Sequence, residues 1–484
     1  MDKKERHGRG TGRSRDYPLT IKTENEKLVE YMQRACEQRD TMKMLTSADE
    51  LLRREPSNVD AMFVAGTAFL HGGQEGLAAL TLNAARCATK DPVKLGAIWS
   101  NIGVALHNYQ PAEAYRAFKE ALKYGEAPPS MYDNLCNVAS QIGRHAEALE
   151  WSDKAKDGWD STHNRAFALL HLGRWEEAWP CYASSVGTEV RPKTERDYGL
   201  PRWDGKKKGK VIIHGEQGVG DEIMFMSMCP ADFDGVIECS PRMEGLFARS
   251  FPKAKVYGTL LQGMLDWPLK ERADYHIEMG GLGEFWAEKP FRRANSLKAD
   301  DARRAGWKAW LGAMDKLSGR GHPTSRVGIA WTGGTWATGR AGRSVPFELI
   351  EQLISANPDV TFVNLEYEDR TDELAELPQV LNPHWATKKG ADMDDLAALV
   401  SSLDLIITAT NSTVDVAGAL GVPVWALVPH NPPWRYSEFA GESEMWFYES
   451  VRTFRQRADD NGKWGRVVAN VTAELKRMQM AQAA

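Results

Sequence analysis

Residues 211–225 read VIIHGEQGVGDEIMF. The first four residues are mostly β-branched and predict a short buried strand, residues 215–220 form a glycine-rich turn, and apolar residues at helical spacing follow. A strand, a glycine-rich turn and a helix in this order bring backbone N–H groups and a helix N-terminus against a ligand. The stretch therefore predicts an α/β domain with a ligand site at the end of this strand.

The glycine-rich turn differs from two common nucleotide-binding sequences. It lacks the Gly-Lys-Ser/Thr of a phosphate-binding loop, and Ile223 stands where the dinucleotide-binding pattern has its third glycine. NAD binding and nucleotide hydrolysis are therefore disfavoured. Asp221 lies in the first turn of the predicted helix, where the helix dipole stabilises an anion that can accept a proton. A role in helix capping alone is the alternative.

Short β-branched segments recur on the C-terminal side of this stretch, separated by helical patterns. Continuous apolar strands that alternate with helices predict parallel sheets covered on both faces. The predicted strands are 211–214, 236–239, 327–331, 360–365, 405–408 and 424–428. A charged, glycine-containing connection at 294–326 divides them into two sets, which indicates two α/β domains. Residues 443–484 predict helices without a clear strand.

Polar side chains follow two of these strands. After strand 405–408 come Asn411, Ser412 and Thr413, at the start of the next predicted helix, where they could donate hydrogen bonds to a diphosphate. Simple N-capping of that helix is the alternative. After strand 327–331 comes a glycine-rich loop and then Arg340 and Arg343, which could neutralise a phosphate unless they are merely solvated.

Residues 26–186 predict helices throughout and contain an internal repeat. Four segments align on the alanines Ala78, Ala114, Ala148 and Ala178, which are 36, 34 and 30 residues apart by subtraction. This spacing resembles the 34-residue tetratricopeptide repeat, with about four copies and a degenerate one at 31–55. Small residues in the first helix of each copy, such as Gly66, Gly103 and Ala166, are expected to let the two helices of a hairpin approach closely.

The amino-acid composition excludes some classes of function. The 484 residues are 42% hydrophobic and carry a net charge of −5, which indicates globular domains without the basic field of a nonspecific nucleic-acid binder. No apolar run is long enough for a membrane helix, and the basic residues 1–25 predict a flexible tail rather than a signal peptide, so a cytoplasmic protein is expected. The six scattered cysteines are expected to be reduced core residues.

Metal binding is not expected. Asp392 and Asp394, like Asp232 and Asp234, match the D-x-D spelling with which some transferases hold a metal, but helix capping explains the first pair better. The histidines show no metal-ligand spacing.

Taken together, four motifs resemble those of a known family. Residues 201–205 (PRWDG), 215–222 (GEQGVGDE), 328–334 (GIAWTGG) with 343–346 (RSVP), and 404–425 look like those of bacterial and phage tetratricopeptide-containing glycosyltransferases related to the heptosyltransferases. The layout is also similar to that of the O-linked N-acetylglucosamine transferases.

The resemblance implies an α + α/β fold in which a tetratricopeptide array precedes two Rossmann-like domains of the GT-B type. The expected boundaries are a tail at 1–25, the array at 26–186, an acceptor-binding domain at 187–318 and a nucleotide-sugar domain with C-terminal helices at 319–484. The protein is then expected in the cytoplasm of a bacterial cell or of a phage-infected host.

The resemblance also implies a reaction, the transfer of a sugar from a nucleotide sugar with inversion and without a metal or other cofactor. Asp221 matches the family's general base for the acceptor hydroxyl. The residues expected on the donor side are Trp331, Gly333, Arg343, Asn411, Ser412, Thr413 and Asp415. Those expected on the acceptor side are His214, Gln217, Gly218, Gly220 and Glu222. Relatives commonly have histidine at the position of Asp415, and a carboxylate beside a diphosphate is unfavourable unless it contacts sugar or ribose hydroxyls.

The acceptor stays open between a protein, a glycan and DNA, bound partly by the repeats. In one alternative, a phage-type enzyme modifies hydroxylated DNA bases, using the basic tail, Lys206–Lys208 and Lys210. In another, the α/β domains are catalytically silent and the protein is a repeat scaffold for peptide partners. The array could also dimerise through its ends, so a homo-oligomer is a further expectation. The protein is not expected to insert into a membrane.

Overall fold

The computed structural model describes residues 23–155, 159–186, 198–259, 267, 271–286, 295–318, 325–334, 339–438 and 441–483. The predicted tail lies largely outside these residues. The chain divides into two compact units, residues 1–131 and 132–484. The array predicted at 26–186 therefore contributes to both units, and the boundary between the units falls inside the array. The boundaries of the four predicted segments themselves stay predictions.

The helices of the array form a continuous series. They are α1 Glu24–Glu37, α2 Thr41–Arg54, α3 Val59–His71, α4 Glu75–Ala88, α5 Pro92–Leu106, α6 Pro111–Ala121, α7 Pro129–Gln141, α8 His145–Ala155, α9 Trp159–His171 and α10 Trp175–Ala183. Helix α1 begins two residues before the predicted start of the array, because Thr23 and Glu26 form a capping box at its N-terminus. The degenerate first repeat is the hairpin of α1 and α2.

Close approach of paired helices explains the small residues of the repeat. A Cβ on Gly66 would lie 2.6 Å from Leu82, and one on Gly103 would lie 2.6 Å from the ring of Phe118. Gly73 has φ +67° in the turn between α3 and α4, a conformation that glycine adopts without strain. The predicted tetratricopeptide-like packing of α3 against α4 and of α5 against α6 is confirmed.

The remaining elements build two sheets with helices. The strands are β1 Val211–His214, β2 Val236–Cys239, β3 Lys255–Gly258, β4 Tyr275–Glu278, β5 Ser325–Ala330, β6 Val360–Asn364, β7 Val380–Leu381, β8 Leu405–Ala409, β9 Val424–Val428 and β10 Val451–Arg455. The helices are α11 Val219–Met226, α12 Glu244–Ser250, α13 Gly283–Trp286, α14 Asp301–Leu317, α15 Arg340–Arg343, α16 Phe347–Ser355, α17 Thr371–Leu374, α18 His384–Thr387, α19 Met393–Val400, α20 Ser412–Ala419 and α21 Gly465–Ala483.

Both sheets are parallel. The first has the strand order β3-β2-β1-β4, and the second has the order β10-β9-β8-β5-β6-β7. The second order is that of a doubly wound dinucleotide-binding sheet, in which the chain reverses its direction of travel between β5 and β8. The predicted α + α/β fold with two Rossmann-like domains is confirmed, and β10 corrects the expectation that residues 443–484 lack a strand.

Aromatic side chains join the last hairpin of the array to the sheet domains of the second unit. The ring centroid of Trp175 lies 4.5 Å from that of Trp446, and the rings of Trp179 and Trp434 lie 5.8 Å apart. Trp179 also presses against the backbone of Gly283, where a Cβ would clash with the indole. The α10 helix is thus part of the core of this unit.

Two further findings concern the general expectations. Among the described residues, no helix is long and apolar enough to cross a bilayer. All six cysteines are free thiols, as expected, but only Cys136, Cys229 and Cys239 are buried, and Cys87 is exposed.

Candidate functional site

The loop after β1 holds Asp221 at the start of a helix. Gly218 is the N-cap residue of α11, and Asp221 lies in the first turn of this helix, with 26% of its side chain exposed. A carboxylate at this position is stabilised as an anion by the N-terminal end of the helix. Asp221 is therefore placed where the sequence predicts it, at the carboxyl end of a central parallel strand.

The second sheet provides the facing part of the site at its switch point. Asn411 caps α20, since its side-chain oxygen accepts the N–H of Thr413 at 2.9 Å. Its side-chain nitrogen donates to the carbonyl of Thr332, in the loop after β5, at 3.0 Å. Asn411 thus ties together the two loops that flank the crevice between β5 and β8, where sheets of this kind bind ligands.

The helices α11 and α20 meet at their N-terminal ends. A Cβ on Gly220 would lie 3.0 Å from a carboxylate oxygen of Asp415 and 3.2 Å from the Cβ of Ser412. Only glycine allows the two backbones to approach this closely without displacing a neighbour. The predicted acceptor-side loop and the predicted donor-side helix are therefore in direct contact.

Arg435 links the two carboxylates at this contact. Its guanidinium donates to Asp221 and lies 3.4 Å from a carboxylate oxygen of Asp415. Burial opposes the charge of Arg435, but the two carboxylates outweigh this effect and raise its pKa. A half-buried cation therefore joins the first sheet domain to the second.

Asp415 is the most buried acid of the site. Its side chain is 3% exposed, and the hydroxyl of Tyr448 lies 3.4 Å from one of its oxygens. Burial raises the pKa of Asp415 to about 7, although Arg435 acts in the opposite direction. The carboxyl group therefore changes its charge close to neutral pH.

Arg343 lies beside the same crevice. Its guanidinium donates to the hydroxyl of Thr410 at 3.1 Å and to the main-chain carbonyl of that residue. Burial lowers the pKa of Arg343. The cation is held against the turn that precedes α20, next to the helix N-terminus.

Trp331, which the sequence predicts on the donor side, is buried in the core. Its side chain is 3% exposed and packs in the core of the second sheet, with its ring 5.4 Å from that of Phe347. Its backbone N–H donates to the buried carboxylate of Glu366 at 2.6 Å. Gly333, two residues on, lies in the loop and donates its N–H to the hydroxyl of Ser344 at 3.1 Å.

Two residues predicted on the acceptor side, Glu222 and His214, are also buried. The Glu222 carboxylate is buried and accepts the backbone N–H of Ser240 at 3.1 and 3.2 Å, and burial raises its pKa to about 7. His214 is 1% exposed at the end of β1, with its ring stacked near that of His276. Gln217 stays in the loop, where it donates to the hydroxyl of Tyr182 on α10.

Sequence reasoning missed Arg435. The residue follows β9, a predicted strand, and parallel strands carry their ligand-binding residues in the loops at their carboxyl ends. The rule that points to the loops after β1, β5 and β8 also points to the loop after β9, and with it to Arg435.

The discounted acidic pairs have structural roles. Asp392 caps α19, and Asp394 forms an ion pair with Arg249 at 2.6 Å. Asp232 lies 3.8 Å from Lys253 on the surface. Among the described residues, no group of three or more histidine, cysteine or acidic side chains lies together in a way that could hold a metal ion.

The chemistry available at the crevice follows from these positions. A carboxylate with a partly exposed side chain faces a helix N-terminus, the amide and hydroxyl groups of residues 411–413, and two guanidinium groups. Such a set can accept a proton on one side and stabilise an anion on the other.

The chain is similar to several known proteins. No family model matches the chain. The Protein FlbA of Caulobacter vibrioides is 29% identical over 413 residues, which cover 78% of this chain and 67% of that protein. Among solved structures, E. coli ADP-heptose lps heptosyltransferase II is 14% identical with a TM-score of 0.40, over 57% of this chain and all of the other. The MamA protein is 16% identical with a TM-score of 0.29, over 34% of this chain and 92% of the other. The helical array followed by two parallel sheets has the layout that the sequence resemblance implies.

Proposed function

We propose that this protein is a glycosyltransferase that moves a sugar from a nucleotide sugar to an acceptor hydroxyl. The observation that carries the proposal is the meeting of Asp221, from the first sheet domain, with the N-terminus of α20 and the cations Arg343 and Arg435. A proton acceptor next to an anion-stabilising set suits the attack of a hydroxyl on a carbon that bears a diphosphate.

In the proposed reaction, Asp221 takes the proton of the acceptor hydroxyl. The oxygen attacks the anomeric carbon in line with the bond to the diphosphate, which inverts the configuration at that carbon. Asn411, Ser412 and Thr413 at the start of α20, together with Arg343, receive the charge that develops on the leaving diphosphate. These protein groups provide the stabilisation that a metal ion supplies in other transferases.

Arg435 has two carboxyl partners, Asp221 and Asp415, before a donor binds, and a diphosphate would be a third partner. We infer that the guanidinium turns from Asp221 to the diphosphate when the donor enters, which leaves the Asp221 carboxylate for the acceptor hydroxyl. A bidentate contact between guanidinium and phosphate supports this exchange, because such contacts are among the stronger hydrogen-bonded ion pairs. In this proposal Arg435 stabilises the leaving diphosphate.

The raised pKa of Asp415 explains how this acid could lie beside a diphosphate without repelling it. A carboxyl group with a pKa of about 7 is largely neutral below that pH and can donate a hydrogen bond to a phosphate oxygen.

The first experiment compares two aspartate-to-asparagine variants of the full chain. Asp221→Asn should bind a nucleotide sugar with nearly unchanged affinity, measured by calorimetry across a panel of donors, and should lose at least about 100-fold in transfer or donor hydrolysis. Asp232→Asn, whose side chain is 78% exposed, is the control and should keep full activity. Full activity in Asp221→Asn with an unchanged fold would remove Asp221 as the base.

The same calorimetry separates the catalytic proposal from the scaffold alternative, because a silent scaffold binds none of the nucleotide sugars. The DNA alternative gains no support from the basic segment. Lys210 pairs with Glu271 at 2.9 Å, and Lys207 lies 3.5 Å from Asp204, so two of its cations have carboxylate partners. The identity of the acceptor, its contact with the repeats and the oligomeric state stay predictions.

A further inference from the structure

A second polar cavity lies away from the proposed active site, between β10 and α21. Its volume is about 400 Å³, a size that holds a small metabolite. β10 stands two strands beyond β8 in the second sheet, so the cavity is about 10 Å from the strand that leads into α20. None of the residues of the proposed reaction lines it.

Arginine dominates the lining of this cavity. Five arginines contribute to it, namely Arg452, Arg455, Arg457, Arg466 and Arg477. Three of them have carboxylate partners: Arg452 and Arg477 pair with Glu474, and Arg466 pairs with Asp459 and Asp460.

The hydrogen bonds of Arg455 go to main-chain carbonyls, which carry no net charge. Its Nε donates to the carbonyl of Glu442 at 2.8 Å, and one Nη donates to that of Tyr436 at 2.5 Å. Burial lowers the pKa of this guanidinium. The charge of Arg455 is thus only partly compensated by the groups it binds.

Two buried N–H donors beside the cavity have no acceptor among the described residues. They are the second Nη of Arg455 and the side-chain nitrogen of Gln456. Gln456 is only 5% exposed, and its side-chain oxygen accepts the N–H of His430 at 3.2 Å, which fixes the orientation of the amide. A buried donor is costly to leave without an acceptor, so this pair favours an oxygen-bearing ligand.

Acidic side chains also line the cavity and restrict the class of ligand. Glu438 and Glu442 offer acceptors for hydroxyl groups but repel a ligand made only of anionic oxygens. A molecule that carries both a phosphate and several hydroxyls satisfies the arginines, Gln456 and the two glutamates together. We propose that this cavity binds a sugar phosphate, with its phosphate against Arg455 and Gln456.

Calorimetry on the full chain at fixed ionic strength tests the proposal with three probes. Glucose 6-phosphate should bind with a Kd below about 1 mM, at least about ten times more tightly than inorganic phosphate, and glucose should not bind. Absence of binding by both phosphate probes at about 10 mM would overturn the proposal. Equal affinity for inorganic phosphate and glucose 6-phosphate would overturn it as well.

Matched variants locate the site. Gln456→Glu keeps an acceptor for the His430 N–H but sets a carboxylate against the phosphate, and should weaken glucose 6-phosphate binding at least about tenfold. Gln33→Glu, on the exposed face of α1, makes the same charge change and should have no effect. The exposed Arg457 gives a second variant, Arg457→Gln, with little risk to folding and an expected loss of about threefold.

Arg343→Ala separates this site from the proposed donor site. It should abolish nucleotide-sugar binding and leave the affinity for glucose 6-phosphate unchanged, so the two proposals can fail independently. If both Gln456→Glu and Arg457→Gln, with thermal midpoints equal to that of the original chain, bind glucose 6-phosphate as tightly as that chain, the cavity is not the site.

Discussion

Asp415 and Glu222 are buried carboxyl groups on facing helices, and both have a raised pKa of about 7. Their surroundings give them different roles. Glu222 accepts a backbone N–H inside its own domain, whereas Asp415 lies against Arg435 and Tyr448 beside the proposed diphosphate site. We therefore expect proton exchange at Asp415 to act directly on the proposed diphosphate site, and proton exchange at Glu222 to act on it only through the neighbouring Asp221.

The affinity for a nucleotide sugar should fall as the pH rises through about 7. Below this pH Asp415 is largely protonated and neutral, and above it the carboxylate repels the diphosphate. Arg435, Asp221, Arg343 and Tyr448 face the same group and define its environment. We expect a loss of about fivefold to tenfold between about pH 6 and about pH 8, measured by calorimetry.

Asp415→Asn is the matched variant for this measurement, because asparagine stays neutral and keeps a hydrogen-bonding side chain. Its donor affinity should be nearly independent of pH and should resemble that of the original chain at low pH. A pH dependence that persists unchanged in Asp415→Asn would assign the effect to another group.

Some site positions could be predicted because they lie in the segments that follow predicted strands. Asp221, Asn411 and Arg343 lie at the crevice because apolar segments fix where β1, β8 and β5 end. Trp331 and Glu222 could not be assigned in this way. Neighbouring residues of a strand or helix point in different directions, and only tertiary packing decides which of them meets the core.

The strands that the sequence predicts are all internal to the sheets. Six strands have a neighbouring strand on both sides, and these are the predicted strands β1, β2, β5, β6, β8 and β9. The four strands that the sequence does not predict each form a sheet edge, namely β3, β4, β7 and β10. Internal parallel strands are covered on both faces and read as apolar runs, but an edge strand such as β10, with the sequence VRTFR, keeps charged residues. The hydrophobic pattern alone could not separate these edges from loops.

Glycine within the array helices gives a test of helix packing. Gly103→Ala places a Cβ 2.6 Å from the Phe118 ring, so the hairpin of α5 and α6 must open. We expect the free energy of unfolding to fall by about 1 to 3 kcal/mol. Gly76→Ala, in α4, meets nothing within 4 Å and should stabilise the array by about 0.5 to 1 kcal/mol. Thermal unfolding followed by far-ultraviolet circular dichroism compares the two, and equal midpoints would contradict the close approach.

For the whole molecule, the division at residue 131 assigns the last two hairpins of the array to the unit that holds the sheets. The sequence could not reveal this, because the repeat pattern is continuous across the boundary and each hairpin follows the same packing rule. The distinction comes from aromatic residues of α10, which the repeat pattern does not specify. Trp175 and Trp179, each at most 5% exposed, contact Trp434 and other residues far along the chain.

Truncation should separate the unit boundary from the repeat boundary. A chain that begins at Glu126 keeps α7 to α10 and should unfold near the midpoint of the second unit in the full chain. A chain that begins at Gly187 loses Trp175 and Trp179. Removing a tryptophan side chain from a core lowers the free energy of unfolding by about 3 to 5 kcal/mol. It also exposes Trp434, beside the Arg435 that joins Asp221 to Asp415. We expect this shorter chain to bind a hydrophobic dye and to aggregate, whereas a native-like midpoint would show that the sheet domains form their core without the repeats.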